Sequence, residues 1–122
     1  RSYEQQKDYY EDRVNLLGEA EAKKITANAG FSENQTGLAL DVTDKADGHN
    51  TVSFAKTNTY KWLIKNAHKY GFILRYPDNK ETITGYTSMP WHWRYVGVDV
   101  AKKMVKKGGV NLTFEEYFQT QK

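Results

Sequence analysis

The apolar segments that have the pattern of β-strands in this chain are all short, and this feature constrains the fold more than any other. They cover residues 38–42, 72–76, 82–86 and 91–96. Turn sequences separate the last three segments, as expected for strands of one small domain. The sequence therefore predicts a small sheet whose remaining core must come from helices.

The longest helical pattern opens the chain, from residue 3 to about residue 27. Ser2 is a plausible N-cap for it. Gly18 is expected to weaken or divide the helix, since glycine costs roughly 1 kcal/mol against alanine in a helix interior. One apolar stripe, predicted to face the core, contains Tyr3, Tyr10, Val14 and Leu17.

Three further helices are predicted later in the chain. One covers about 60–70 and ends at Gly71, another covers about 98–107, and the capping-box sequence TFEE at 113–116 opens a last helix that runs to about Gln119. Helices and strands interleave without regular βαβ alternation, so the class is α+β, with a small antiparallel sheet packed with helices. The inward positions of the third helix are Val98, Ala101, Met104 and Val105.

Composition limits the classes of function. The 122 residues contain no cysteine, which excludes thiol catalysis, disulfides and cysteine metal sites. The net charge of +3 is mildly basic, and the lysines at 102, 103, 106 and 107 are expected to face solvent. We therefore predict no nucleic-acid partner.

The ends and the length of the chain give a prediction about its organisation. Residues 1–122 are expected to form a single domain, and no run of 18 apolar residues or signal peptide is present. The chain begins at Arg1 without an initiator methionine. We therefore expect the domain to be N-terminally incomplete, with an anchor or signal upstream of Arg1.

Two polar residues lie where a buried strand does not favour them. Asp41 interrupts the apolar segment 38–42, and His92 lies between two tryptophans at a strand start. A buried carboxylate needs a cation, a metal or several donors to offset its desolvation. Asp41 and His92 could ligate zinc, but two ligands are too few, because catalytic zinc usually has three and a water.

The motifs around these residues resemble those of the VanY-type D-alanyl-D-alanine carboxypeptidases and the related L,D-carboxypeptidases, zinc enzymes that trim peptidoglycan stem peptides. The family pattern S-x-H-x-x-G-x-A-x-D corresponds here to 32–41, its E-P-W-H to 89–92, and its upstream R-S-x-x-x-Q to 1–6. YGFILRYP, TGY, WRYVG and TFEEY match as well. The resemblance implies the D,D-peptidase (Hedgehog-like) fold, with Asp41 and His92 as metal ligands.

Two positions depart from the family pattern. Asn34 stands at the first zinc-ligand histidine, and Met89 stands at the catalytic glutamate. An asparagine carbonyl is a weak zinc donor, and a thioether cannot transfer the proton of a metal-bound water. We therefore expect zinc to be absent or weakly bound and hydrolysis to be lost or impaired.

The resemblance implies that the substrate-holding side of the site is retained. The resemblance implies that Arg1 contacts the substrate carboxylate or the developing oxyanion, and a guanidinium suits bidentate carboxylate binding. Ser32 and Gln6 could donate hydrogen bonds to a peptide, although either could equally cap a loop or a helix. Of the two tryptophans, Trp91 is expected to line the cleft with Trp93 in the core, or the reverse.

The leading hypothesis is thus a degenerate carboxypeptidase-like domain of the bacterial cell envelope. It is expected to be a monomer that binds stem peptides without efficient hydrolysis. One alternative is an active zinc carboxypeptidase in which His49 replaces the lost ligand and Glu33 or Glu81 the lost base. Another is a protein–protein interaction module. His68 is predicted to be a surface residue. D,D and L,D specificity both remain open.

Overall fold

The structure is a computed structural model that describes residues 1–44 and 50–119. Its helices and strands confirm the predicted α+β class. Short 3₁₀ helices at Glu33–Gln35, Val52–Lys56 and Ala67–Tyr70 connect them. In chain order the elements are α1 (Tyr3–Leu17), α2 (Glu19–Ile25), β1 (Ala39–Asp41), α3 (Asn58–Asn66), β2 (Phe72–Leu74), α4 (Glu81–Thr84), β3 (His92–Tyr95), α5 (Val98–Gly108) and α6 (Phe114–Gln119).

The first helical segment is divided at Gly18, as predicted, because this glycine adopts a φ of 84° between α1 and α2. Ser2 caps α1 in a capping box with Gln5. The predicted buried stripe is only half confirmed, however, because Tyr10 and Val14 are partly buried but its two ends are not. Tyr3 is 55% exposed and Leu17 is 44% exposed, whereas the buried residue of α1 is the polar Gln6.

The three strands form one antiparallel sheet in the order β1-β3-β2. Leu40 pairs with Trp93, which in turn pairs with Leu74. Asp41 pairs with His92. Since neighbouring residues of a strand point to opposite faces, Asp41 and His92 share the face opposite to that of Leu40 and Trp93.

The segment from α3 to Gly71 leads into β2, which forms one edge of the sheet. Thr57 caps α3, and the helix tightens into the 3₁₀ turn before Gly71, which has a φ of 90°. A Cβ at Gly71 would lie 2.5 Å from the ring of Tyr95. Glycine is therefore required here both by the backbone and by the close approach of β3.

The predicted strand at 82–86 is wrong, because this segment forms α4. Its alternation of threonine and isoleucine favours a strand, but left-handed residues bracket it, with φ values of 61° at Asn79 and 83° at Gly85. These bends close the segment into one helical turn, in which the carbonyl of Lys80 accepts bonds from the N–H groups of Ile83 and Thr84.

Among the described residues, three hydrophobic clusters around the sheet form the core. They are Phe54, Tyr76, Met89 and Trp91; Ile73, Ala101, Met104 and Tyr117; and Ala67, Leu74 and Trp93. On α5, Ala101 and Met104 are buried as predicted, whereas Val98 is 37% exposed at the first turn. The capping box predicted at 113–116 is present between Thr113 and Glu116. In the part of the chain that is described, no helix is long and apolar enough to cross a membrane.

Candidate active site

A cleft of about 400 Å³ opens on the face of the sheet that carries Asp41 and His92. Its walls come from α1, the loop that follows α2, and the segment that leads into β3. The predicted site residues among its lining are Arg1, Ser32, Asn34, Asp41, Met89, Trp91 and His92. Seven of the eight residues singled out from the sequence are thus brought together, and Gln6 lies directly behind Arg1.

Asp41 and His92 meet because β1 and β3 pair in register at these positions. The Nδ1 atom of His92 lies 3.1 Å from Oδ1 of Asp41. Both side chains are largely buried, with 4% of His92 and 14% of Asp41 exposed. Burial lowers the pKa of His92 more than the hydrogen bond to Glu33 raises it.

The Asp41 carboxylate is surrounded by N–H donors. Asn34 Nδ2 donates to Oδ1 at 3.2 Å. Asn50 Nδ2 donates to Oδ2 at 3.0 Å, and the Arg1 guanidinium forms an ion pair with the same oxygen. The desolvation of the buried aspartate, which the sequence left unexplained, is therefore offset by these groups.

Asn34 is held in place by a short turn. It lies in the 3₁₀ helix Glu33–Gln35, and its backbone N–H donates to Oγ of Ser32 at 3.2 Å. Asn34 is only 7% exposed. Ser32 therefore caps this turn while also lining the cleft, so both roles considered for it are compatible with its position.

Gln6 supports Arg1 from behind. Its Oε1 accepts a bond from Arg1 Nη1 at 2.6 Å. Its Nε2 donates to Oγ1 of Thr26 at 3.0 Å and to the carbonyl of Ala27 at 2.6 Å. Because Gln6 is fully buried with both of its amide contacts inside the protein, its side chain positions the guanidinium rather than reaching a peptide.

Met89 and Trp91 form the apolar end of the cleft. Each is 3% exposed, and both pack with Phe54 and Tyr76. Trp93 is equally buried on the other face, where its Nε1 donates to the carbonyl of Pro90 at 3.0 Å. Both tryptophans are therefore core residues, and Trp91 also presents part of its surface to the cleft.

Glu33 lies on the far side of the His92 ring from Asp41. Its Oε1 lies 2.9 Å from His92 Nε2, and its Oε2 accepts bonds from Arg75 at 3.0 Å and Arg94 at 2.9 Å. Burial raises the pKa of Glu33, but the bond from His92 and the charge of Arg75 outweigh it and lower the pKa to about 2. A carboxylate this acidic is a poor general base, so Glu33 does not fit the replacement role considered for it.

The other replacement candidates fare differently. His49 lies outside the described residues. Glu81 begins α4 and is not among the residues that line the cleft. His68 is half-buried rather than on the surface, and its Nδ1 is buried without a hydrogen-bond partner in the described part of the chain.

Sequence reasoning missed Arg75, Tyr9 and Asn50. Arg75 contacts Glu33 and lines the cleft. The Tyr9 ring lies under the Arg1 guanidinium at 3.9 Å, and its hydroxyl accepts a bond from Asn50 at 2.9 Å. The signal available for Arg75 was a charged residue directly after the apolar segment that forms β2, whereas nothing in the local pattern distinguished Tyr9 or Asn50.

Comparison with known proteins identifies the family. A model of the D-alanyl-D-alanine carboxypeptidase family, VanY, matches residues 1–98. The chain belongs to the VanY family. YodJ from Bacillus subtilis, named a putative carboxypeptidase, is 47% identical over 123 residues. The match covers 100% of this chain and 44% of YodJ.

Solved structures of VanY-family proteins have the same fold. The LdcB LD-carboxypeptidase is 48% identical, with a TM-score of 0.77, over 98% of this chain and 55% of LdcB. VanYB in complex with D-alanine-D-alanine is 37% identical, with a TM-score of 0.81, over 100% of this chain and 68% of VanYB. This chain spans about half the length of YodJ and of LdcB.

Zinc is a cofactor in this family, as a VanY D,D-pentapeptidase variant solved in complex with Zn(II) illustrates. The residues that the motif resemblance places at such a zinc site are Asn34, Asp41 and His92. They fit zinc poorly, because only two are strong donors and the Asn34 amide turns an N–H toward Asp41. Among residues 1–44 and 50–119, no group of three or more His, Asp or Glu side chains is arranged to hold a metal ion.

Proposed function

We propose that this domain binds the carboxy-terminal end of peptidoglycan stem peptides and hydrolyses them inefficiently or not at all. The observation that carries the proposal is the engagement of Asp41 by Arg1, Asn34 and Asn50 in a cleft that retains Arg1 and Ser32. The cell envelope is the location where such a peptide occurs.

The binding side of the cleft supports this proposal. A volume of about 400 Å³ falls within the range of about 300–1,000 Å³ that is usual for small-ligand sites. The Arg1 guanidinium uses Nη1 for Gln6 and Nη2 for Asp41, and a guanidinium has five N–H groups in all. It can therefore bind a terminal carboxylate without losing either support.

The hydrolytic side of the cleft lacks two groups. Asn34 supplies a weak donor where the family has an imidazole, and zinc bound by two strong ligands would be held poorly. Met89 lies in an apolar cluster, and its thioether cannot take a proton from water. General acid–base groups contribute about 10² to 10⁴ in rate, so turnover is expected to be at least this much lower than in an intact site.

A titration calorimetry experiment tests the proposal with a peptide that ends in D-Ala-D-Ala. We expect saturable binding, and weaker binding both for the peptide amide and for Arg1→Met, because each lacks one partner of the carboxylate contact. An L,D substrate, ending in a single D-Ala, is titrated beside it to decide the specificity.

The rival functions predict other results. Efficient release of D-alanine in the presence of zinc would show an active enzyme and contradict the proposal. An absence of binding to either peptide would also contradict it, and would leave the interaction-module hypothesis.

A further inference from the structure

An apolar groove lies on the face of the sheet opposite to the candidate active site. Its volume is about 230 Å³, and all of the residues that line it are apolar or aromatic. Leu63 and Ile64 of α3 pack against Leu74 and Trp93 on this face, but Leu40 on the edge strand β1 stays 53% exposed. The groove is thus the space left between α3 and β1.

Large apolar side chains stand at the rim of this groove. Trp62 is 51% exposed and Tyr70 is 61% exposed, and their rings stack with centroids 6.1 Å apart. Leu40 lines the groove from the strand. We call Leu40, Trp62 and Tyr70 the apolar patch. Tryptophan and tyrosine combine an apolar ring with a polar N–H or O–H, a combination that is enriched where proteins meet the headgroup region of a bilayer.

Three exposed lysines border the apolar patch, at positions 61, 65 and 69. Lys65 follows Trp62 by three positions, which places the two on one side of α3. The Nζ atom of Lys69 donates to Oδ1 of Asn66 at 3.0 Å, an uncharged partner. No aspartate or glutamate occurs from residue 48 to residue 77. The border of the patch is therefore basic, without acidic neighbours along the chain.

This basic border distinguishes between possible occupants. A second copy of the chain, docked on the patch about a twofold axis, would bring the lysines of both copies together, and like charges oppose such a contact. A bilayer with anionic headgroups offers hydrocarbon to the apolar side chains and negative charge to the lysines. Charge complementarity therefore favours the bilayer.

We propose that the apolar patch and its three lysines dock this domain on the surface of an anionic lipid bilayer. Trp62 and Leu40 enter the headgroup region, and the lysines contact lipid phosphates. Because Asp41 and His92 lie on the opposite face of the sheet, the docked domain presents its cleft away from the bilayer. Docking does not depend on the proposed function, and only the use of this orientation to meet stem peptides rests on it.

Sedimentation with lipid vesicles tests the proposal. Vesicles of phosphatidylglycerol and phosphatidylcholine in equal parts are compared with phosphatidylcholine alone, in about 0.1 M salt, where the Debye length is about 10 Å. We expect the chain to bind the anionic vesicles at least about tenfold more tightly, since each lysine near an anionic surface contributes a factor of about five. A chain that stays in the supernatant, or binds both kinds of vesicle equally, would overturn the proposal.

Tryptophan fluorescence shows whether the apolar patch makes the contact. Trp91 and Trp93 are each 3% exposed, so a change of environment on binding reports on Trp62. We expect the emission to shift to shorter wavelength with anionic vesicles, and lipids brominated in their acyl chains to quench it. Binding without either change would show that another surface meets the bilayer.

Neutralisation of the lysines tests the basic border. Lys61→Gln/Lys65→Gln/Lys69→Gln should lower the partition coefficient on the order of 100-fold. An unchanged coefficient would refute the role of these lysines.

Lys7→Gln/Lys23→Gln/Lys24→Gln is the matched control for charge. It removes the same number of charges from exposed positions of α1 and α2, the helices on the cleft side of the sheet, and should cost less than about tenfold, because these lysines lie away from the docked face. Equal losses in the two triple variants would show attraction by net charge alone and would refute the site.

Trp62→Ala tests the apolar part. It should lower the partition coefficient about tenfold or more, because the indole surface that leaves water on docking is lost. Leu16→Ala is the control, since Leu16 is 68% exposed on α1, and it should bind as the unchanged chain does. Equal effects of the two substitutions would contradict the proposal.

Sedimentation equilibrium without lipid covers the rival occupant. A dimer that Trp62→Ala dissociates would assign the apolar patch to a second copy of the chain and overturn the proposal, whereas a monomer is the expected result. None of these measurements requires a peptide. A failure to bind stem peptides would therefore refute the proposed function alone, and a failure to bind anionic vesicles would refute this inference alone.

Discussion

The burial of Gln6 gives the sharpest prediction for stability. In Gln6→Leu the side chain keeps a similar volume but loses the bond from Arg1 and the two bonds to Thr26 and Ala27. The bonds to Thr26 and Ala27 join α1 to the segment that follows α2, and the bond from Arg1 fixes the start of the chain. Their loss leaves polar atoms without partners in a place that water reaches poorly, since Gln6 is fully buried.

The expected cost follows from the number of unpaired groups. A buried donor or acceptor left unsatisfied costs about 1–3 kcal/mol, and the apolar leucine returns part of this through burial. The Arg1 and Ala27 groups are only partly buried, so they cost less than the hydroxyl of Thr26. We expect a net loss of about 2–4 kcal/mol in the free energy of unfolding, equivalent to about 8–16 °C in Tm for a domain of this size.

Thermal and urea unfolding, followed by circular dichroism, measure this loss. Lys7→Leu is the matched control, because it introduces the same residue at the adjacent exposed position of α1 and should change Tm little. If Gln6→Leu lowered Tm by no more than its control, the buried hydrogen bonds would not be stabilising in the way described.

Three further predictions concern the cleft and the fold. Met89→Glu should lower the free energy of unfolding by about 2 kcal/mol or more, because a carboxylate replaces an apolar group in a buried cluster. Urea unfolding of this variant and of the control Met89→Leu measures the loss, and an equal loss in both variants would contradict the prediction. The pKa of Glu33 is lowered from 4.5 to about 2, so the ionised carboxylate stabilises the fold above pH 4.5, and this stabilisation is lost as the pH falls toward 2. The contribution is up to about 3 kcal/mol. The free energy of unfolding of Glu33→Gln should therefore decline less between pH 5 and pH 2.5 than that of the unchanged chain. Gly71→Ala should destabilise more than Gly85→Ala, since both glycines have positive φ but a Cβ clashes with Tyr95 only at Gly71; equal losses of Tm would refute the clash.

The sequence predicted well the features that local signals specify. Gly18 and Gly71 ended helices where expected, because glycine has no Cβ and adopts a positive φ readily, whatever its distant neighbours are. The N-cap predicted at Ser2 and the capping box predicted at Thr113 were confirmed, since both depend on residues a few positions apart. Asp41 and His92 were expected on neighbouring strands as ligands of one metal site, but their direct pairing in register is a finding of the structure.

The features that failed depend on partners distant in the chain. Gln6 is buried because Thr26 and Ala27 satisfy its amide from 20 and 21 residues away, whereas the apolar Tyr3 of the same helix is left exposed. Glu33 was assigned a possible catalytic role, and only the fold shows that His92 and Arg75, 59 and 42 positions later, lower the pKa of its carboxyl group to about 2. Hydrophobic periodicity has no information on such contacts.

The central claim is that Asn34 and Met89 leave a domain that binds stem peptides but does not cleave them efficiently. The most direct measurement is the rate of D-alanine release from a peptide ending in D-Ala-D-Ala, with zinc in excess, for the unchanged chain and for the double variant Asn34→His/Met89→Glu. We predict release at the background rate for the unchanged chain and a measurable gain for the double variant. Release by the unchanged chain at a rate equal to or above that of the double variant would contradict the account.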